Sequence, residues 1–198
     1  MNELIKKLIE AFNELPGIGE KSAERIVFYL LDKPEERLSY FIERFKELKE
    51  KIKICSLCNN FDEEDPCKIC RDERRENVLM IVPTPKEVWT FEKTGEFNGR
   101  YFVLGGLISP LENIYPDDLK LNSLFKILKE KKVEEIIFAF PPLPEGEVTI
   151  YFLIDKLKGY NLKMTKFRSG IPLGTTFDYL DNYTLREVLK NREVIELK

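Results

Sequence analysis

Apolar and polar positions along this chain follow two different periods. From the N-terminus, Leu4, Ile5, Leu8, Ile9, Phe12 and Leu15 recur at helical spacing with charges between them, which predicts a helix stopping at Pro16-Gly17. A second helix is predicted from near Glu20, with Ile26, Val27, Leu30 and Leu31 on one face. From Asn77 onward, short apolar runs alternate with amphipathic segments. Strands are predicted at 78–83, 101–106, 134–140 and 162–167, and helices at 86–95, 122–132, 145–159 and 183–192, the last starting at Tyr183-Thr184. The stretch 107–118 reads as a loop. This alternation predicts a parallel α/β sheet with helices on both faces.

Between the two patterns lies "CSLCNNFDEEDPCKIC", which holds all four cysteines of the chain within positions 55–70. The spacing is Cys-x2-Cys, eight residues, then Cys-x2-Cys, so two tight knuckles converge four sulfurs on one tetrahedral ion. Two disulfides would need an oxidising compartment, and four unlinked thiols rarely pair twice in so short a segment. The spacing therefore favours a four-thiolate zinc site at Cys55, Cys58, Cys67 and Cys70. With every position filled by thiolate no place remains for water or substrate, so the zinc is expected to be structural. Ile54, Leu57, Phe61 and Ile69 are too few to fold the loop, so metal and neighbouring surface are expected to share that work.

The segment "LPGIGEKSAERIVFYLL" joins the two N-terminal helices. Gly17 and Gly19 let the backbone turn sharply and approach a ligand without a Cβ. The turn feeds a helix N-terminus, whose free N–H groups and positive dipole suit a phosphate, and Lys21 and Arg25 share a face beside it. These residues suggest a helix-hairpin-helix gripping nucleic-acid backbone; a plain turn between packed helices, or a hairpin used for self-association, are the alternatives. Residues 1–53 carry eleven basic and eleven acidic side chains, so contact would be limited to a few phosphates.

Composition narrows the classes. The chain has 198 residues, 43% hydrophobic and 34% charged, with net charge −3, the profile of a soluble globular protein. No run approaches a membrane span, and the N-terminus does not read as a signal peptide, so a cytoplasmic location with reduced thiols is expected. Histidine is absent, which removes the commonest general base near neutral pH and every triad built on it.

In open α/β sheets, ligands gather beyond the carboxyl ends of the strands. Glu145 and Glu147 are the paired carboxylates there. They suit Mg²⁺ or a basic partner, or simply an acidic first helical turn complementing the dipole. Gly105-Gly106 lacks the following Lys or third Gly of a phosphate loop.

The order of hairpin, cysteine knuckles and α/β unit resembles the bacterial recombination mediator family RecR. The resemblance covers nearly the whole chain and rests on "LPGIGEKSAERIVFYLL", "CSLCNNFDEEDPCKICRDERR", "EKTGEFNGRYFVLGGLISPLENIYPDDL" and "EGEVTIYFLIDKLK". It implies an N-terminal helix-hairpin-helix at 1–53, a four-cysteine zinc finger at 54–76, a Toprim-like parallel α/β domain at 77–168 and a C-terminal helical segment at 169–198. It further implies Cys55, Cys58, Cys67 and Cys70 as zinc ligands, Lys21 and Arg25 as DNA contacts beside Gly17 and Gly19, and Glu145 and Glu147 as the place where RecO docks. Family members resemble homotetrameric rings wide enough for DNA, which act with RecO and RecF to help RecA displace single-strand-binding protein. Catalytic Toprim domains place a glutamate after the first strand and Asp-x-Asp after a later one. Here those places hold Pro83 and Phe140, Pro141 and Pro142.

The expectation is thus a non-enzymatic, DNA-binding repair scaffold. Its rivals are a Mg²⁺-dependent Toprim-type nuclease or primase using Glu145, Glu147 and Asp117 or Asp118, and a zinc-knuckle adaptor binding only proteins.

Overall fold

The computed structural model describes residues 2–167 and 177–195. The chain divides into two compact units, Met1–Lys51 and Ile52–Lys198.

In the first unit, α1 (Glu3–Asn13) starts at Asn2, whose side chain accepts the Leu4 N–H at 2.9 Å. α2 (Glu20–Leu31) follows, and the two helices meet through Ile9, Ala23 and Val27, with Ile5, Phe12 and Ile18 packed around them. The predicted apolar faces were too wide. Leu4, Leu8, Leu15 and Leu31 are exposed, because a two-helix contact centred on Ala23 covers only a narrow stripe of each helix. A third helix, α3 (Glu35–Lys51), was not foreseen, although Leu38, Phe41, Ile42, Phe45 and Leu48 recur along it at helical spacing; none of its residues is buried. It carries Glu35 and Glu36 in its first turn and Lys49 and Lys51 in its last, the arrangement that complements a helix dipole.

The second unit opens with a two-stranded antiparallel ribbon, β1 (Lys53–Ile54) and β2 (Phe61–Asp62), and a single helical turn, α4 (Lys68–Arg71). Five strands then form one sheet: β3 (Val78–Val82), β4 (Arg100–Val103), β5 (Glu135–Phe138), β6 (Lys163–Lys166) and β7 (Glu193–Val194), in the order β4-β3-β5-β6-β7. The first four are parallel, as the alternation predicts. β7 runs antiparallel to β6 and was not foreseen; two residues are too few to show a period.

Alternate strand residues feed two cores. Leu79, Ile81, Phe102, Ile136 and Phe138 face α6 (Leu121–Glu130) and α7 (Pro144–Leu157). Met80, Val82, Tyr101, Val103 and Ile137 face α5 (Pro85–Glu92) and α8 (Asn182–Lys190). β3, β4 and β5 therefore read as near-continuous apolar runs, the pattern of a covered parallel sheet, whereas β6 buries only Met164 and Thr165. α8 is capped by Asp181, which accepts the Thr184 N–H at 2.8 Å. The boundary expected between 168 and 169 lies outside the described residues.

Candidate metal centre and nucleic-acid interface

The first knuckle is closed by backbone bonds: Asn59 donates its N–H to the Cys55 carbonyl at 3.0 Å, and Cys55 donates to Asn60 at 2.8 Å. Asn59 sits at φ +61, a left-handed position that asparagine tolerates. Asp65 accepts the Ser56 N–H at 2.7 Å. In the second knuckle, Cys67 is the N-cap of α4 and Cys70 lies within that turn, while the Asp62 carboxylate accepts the Lys68 N–H at 3.0 Å.

The four sulfurs lie within 4.8 Å of one another and all four residues are buried. Cys55 Sγ and Cys70 Sγ are 3.9 Å apart, and Cys58 Sγ and Cys67 Sγ 3.5 Å. A tetrahedron of zinc–sulfur bonds of about 2.3 Å has edges of about 3.8 Å, so these residues fit zinc. A disulfide, at about 2.05 Å, does not match either distance. The sulfurs also perturb one another: the hydrogen bond between Cys58 and Cys55 lowers the Cys55 thiol and raises that of Cys58. Four adjacent thiolates require a cation between them, which a metal held by Cys55, Cys58, Cys67 and Cys70 would supply.

The finger is fastened to the sheet. Val103, at the end of edge strand β4, donates its N–H to the Cys58 carbonyl at 2.8 Å, and the Asn59 side-chain amide donates to the Val103 carbonyl at 3.1 Å. Arg100 donates to the carbonyls of Glu76 and Asp72 at 3.3 and 3.2 Å. Arg75 makes a two-pronged ion pair with Glu92 of α5 at 2.8 and 2.6 Å. Leu57 is buried and Ile69 packs on both cores, but Ile54 and Phe61 remain exposed, so only half of the finger's apolar residues share in anchoring it. Sequence reasoning missed Asn59, Arg75, Glu92 and Arg100. Of these only Asn59, directly after a Cys-x2-Cys knuckle, carried a readable signal.

In the hairpin, Gly17 takes φ +80, which favours glycine, whereas Gly19 has an ordinary φ of −83. A Cβ at Gly19 would meet nothing within 4 Å. Gly19 is the N-cap of α2 with no side chain to cover it, and the N–H groups of Ser22 and Ala23 turn back to its carbonyl. The side chains of Lys21 and Arg25 are exposed and make no hydrogen bond or ion pair with another described residue.

The carboxylates of α7 are arranged differently from a metal site. Glu147 accepts two bonds from Lys166 at 2.9 and 3.0 Å. Glu145 has no side-chain partner among the described residues. Asp118 accepts the Tyr115 N–H at 2.8 Å, and Asp117 is exposed. Among the described residues, the cysteines are the only group of three or more His, Cys, Asp or Glu side chains gathered closely enough for an ion, so Glu145, Glu147, Asp117 and Asp118 do not converge. Where Toprim acids would stand, Pro83 leads into the Thr84 cap of α5, and Phe140 is buried against Phe138.

Three family models match in chain order: the RecR helix-hairpin-helix at residues 5–44, the RecR four-cysteine zinc finger domain at 52–72, and the Toprim domain at 77–168. Among curated proteins, the Recombination protein RecR of Bifidobacterium adolescentis is 43% identical over 192 residues, 96% of each chain. The chain belongs to the RecR family. The RecR proteins of Carboxydothermus hydrogenoformans and Thermobifida fusca are 42% and 41% identical over 98% and 97% of both chains. The RecR zinc-finger match contains all four cysteines, so the cluster is a four-cysteine site positioned to bind one metal ion. The RecR hairpin match takes in most of α1, all of α2 and α3 as far as residue 44. No helix among the described residues is long and apolar enough to cross a membrane.

Proposed function

We propose that this chain is a DNA-binding recombination mediator of DNA repair. It works in the cytoplasm with RecO and RecF to help load RecA on single-stranded DNA coated by single-strand-binding protein. The observation that carries this reading is the bare start of α2: Gly19 leaves the helix terminus uncovered, and Lys21 and Arg25 stand beside it without partners among the described residues. Backbone N–H groups and two cations at one terminus take a phosphate without reading a base, so binding is independent of sequence.

Each copy offers only a few phosphate contacts, and a homotetrameric ring multiplies them by raising the effective concentration of each hairpin once one is bound. The domain division at 1–53, 54–76, 77–168 and 169–198 assigns DNA to the first part, bracing to the zinc finger and partner docking to the third. Glu145 and Glu147 are the RecO-docking carboxylates of that third part. The scaffold is non-enzymatic: it positions DNA and partners, and zinc at Cys55, Cys58, Cys67 and Cys70 cross-links the two knuckles.

The test is the double variant Lys21→Ala/Arg25→Ala, assayed for binding to single- and double-stranded DNA and for solution mass. DNA affinity is expected to fall at least ten-fold with mass and melting temperature unchanged. Unaltered affinity for both DNA forms refutes the assignment.

A further inference from the structure

The elbow between α2 and α3 carries aromatic rings and cations in alternation. Lys21, Arg25 and Tyr29 follow one another at four-residue intervals along α2, so their side chains form one row from the helix N-terminus to its last turn. Just beyond the helix, Lys33 places its Nζ over the Tyr29 ring, 4.4 Å from the centroid. Pro34 directly precedes α3, and in the first turn of that helix the Arg37 guanidinium lies over the Phe41 ring at 5.8 Å. One turn further on, Arg44 lies over the Tyr40 ring at 5.5 Å. All three pairs are close enough for the cation to feel the negative face of the ring.

Tyr29 and Tyr40 border one space. An open groove of about 600 Å³ is lined by Tyr29, Lys33, Pro34, Glu36, Arg37 and Tyr40. The two tyrosines are 57% and 54% exposed, so their rings are available to a ligand. Lys33 and Arg37 make no ion pair with a carboxylate among the described residues. Glu36 is the one acid in this lining. A second groove, which shares Glu36 and Tyr40 with the first, is lined also by Glu35, Ser39 and Glu43, so negative charge borders the site on that side only.

We propose that this groove is a base-stacking site for single-stranded DNA, in which Tyr29 and Tyr40 stack on bases while Lys33 and Arg37 take the phosphates beside them. This rests on the reading of Lys21 and Arg25 as phosphate contacts and continues their row: Tyr29 lies eight residues along α2 from Lys21, about 12 Å at 1.5 Å per residue. Flat rings interleaved with unpaired cations suit a strand that offers π-faces and phosphates in turn. A duplex keeps its bases stacked on one another, so it reaches the cations but not the rings, and the groove therefore favours the single strand. The purely apolar residues of α3, Ile42, Phe45 and Leu48, are exposed but do not line the groove, so a second copy covering them leaves it open. Lys33 and Arg37 already rest on rings, so little side-chain entropy is lost when phosphates meet them.

The probes are a single-stranded deoxythymidine oligomer and a duplex of equal length, titrated against the wild-type protein, Tyr29→Leu/Tyr40→Leu, Tyr29→Phe/Tyr40→Phe and Lys21→Ala/Arg25→Ala. Both tyrosines are exposed, so melting temperature and solution mass are expected to be unchanged. Leucine keeps apolar volume without a flat ring, and that variant is expected to lose at least ten-fold in single-strand affinity and less than two-fold on the duplex. Phenylalanine keeps the ring, and its variant is expected to bind like wild type. Wild-type single-strand binding by the leucine variant, beside weakened binding by Lys21→Ala/Arg25→Ala, overturns the stacking groove and leaves the hairpin grip standing. Wild-type binding by both overturns both readings. Equal losses on the two DNA forms in the leucine variant refute stacking. A changed solution mass in that variant assigns the rings to a second copy and overturns the proposal.

Discussion

Val103 donates its backbone N–H to the carbonyl of Cys58 at 2.8 Å, so a metal-binding residue and the last residue of edge strand β4 share a hydrogen bond. The Asn59 amide returns a bond to the Val103 carbonyl at 3.1 Å. The finger thereby covers the end of the sheet's edge strand, whose backbone groups would otherwise be unpaired and invite non-native pairing.

That bond supplies a reporter for the metal. Structural zinc contributes on the order of 10 kcal/mol to the folding of finger peptides. Chelation, or Cys58→Ser, is expected to release the knuckles, and with them the protection of the Val103 amide, while the Ile137 amide in central strand β5 stays protected. Hydrogen exchange with and without chelator checks this. Full protection of Val103 after metal removal would show that the finger holds the edge by packing alone.

Glu135, at the start of β5, has its side chain 10% exposed. Burial pushes its carboxyl up, but hydrogen bonds from Arg192, Lys163 and Thr165 outweigh that and hold it at about 2. A carboxyl held below its ordinary value of about 4.3 stabilises the fold fully above that value and loses the contribution as pH falls toward about 2. Glu135→Gln is expected to cost about 2 kcal/mol near neutral pH, the scale of charge-assisted hydrogen bonds. The gap from wild type is expected to narrow through that acid window. Urea titrations at about pH 7, 4 and 3 measure it, and a gap independent of pH argues that lost packing is the cause.

Gly146, between the two α7 glutamates, is a packing requirement. A Cβ there would stand 2.5 Å from the Pro141 carbonyl oxygen. Gly146→Ala is expected to lose about 1–3 kcal/mol, the usual cost of forcing extra volume into a packed site. Because the helix start must shift, RecO binding is expected to weaken as well. Denaturation and a RecO titration read the two effects, and wild-type values in both refute the steric account.

Gly19 is expected to behave in the opposite way. Its φ is ordinary and its surroundings are open, so Gly19→Ala is expected to change stability by no more than about 1 kcal/mol. A methyl group at the bare cap stands in the way of a phosphate, so DNA affinity is expected to fall several-fold. Unchanged DNA binding in a stably folded Gly19→Ala protein would place the contact elsewhere on the chain.

Much of the architecture was legible because it is written in short-range patterns. The strand runs around Ile81 and Ile137 show the covered parallel sheet, and Pro16-Gly17 marks the hairpin turn. The helical spacing of Leu38, Phe41, Ile42, Phe45 and Leu48 carried a signal for α3 that the prediction left out; what the pattern does not carry is that this apolar face stays exposed. β7 was hidden because its position depends on partners far along the chain: Arg192 reaches Glu135 at 2.7 Å across 57 residues. The pairing of Glu147 with Lys166 was hidden for the same reason.

The sequence by itself determined the ligand set of the metal site, since two Cys-x2-Cys knuckles eight residues apart bring four sulfurs together whatever surrounds them. It also determined the glycine turn and the two cations beside it, because a helix terminus and its first turn are local objects. Only the tertiary structure decided that the finger is bonded to β4 and that Phe140 is buried where Toprim acids would stand. Those relationships join residues tens of positions apart, and their geometry exists only once the sheet has set the distances between its strands.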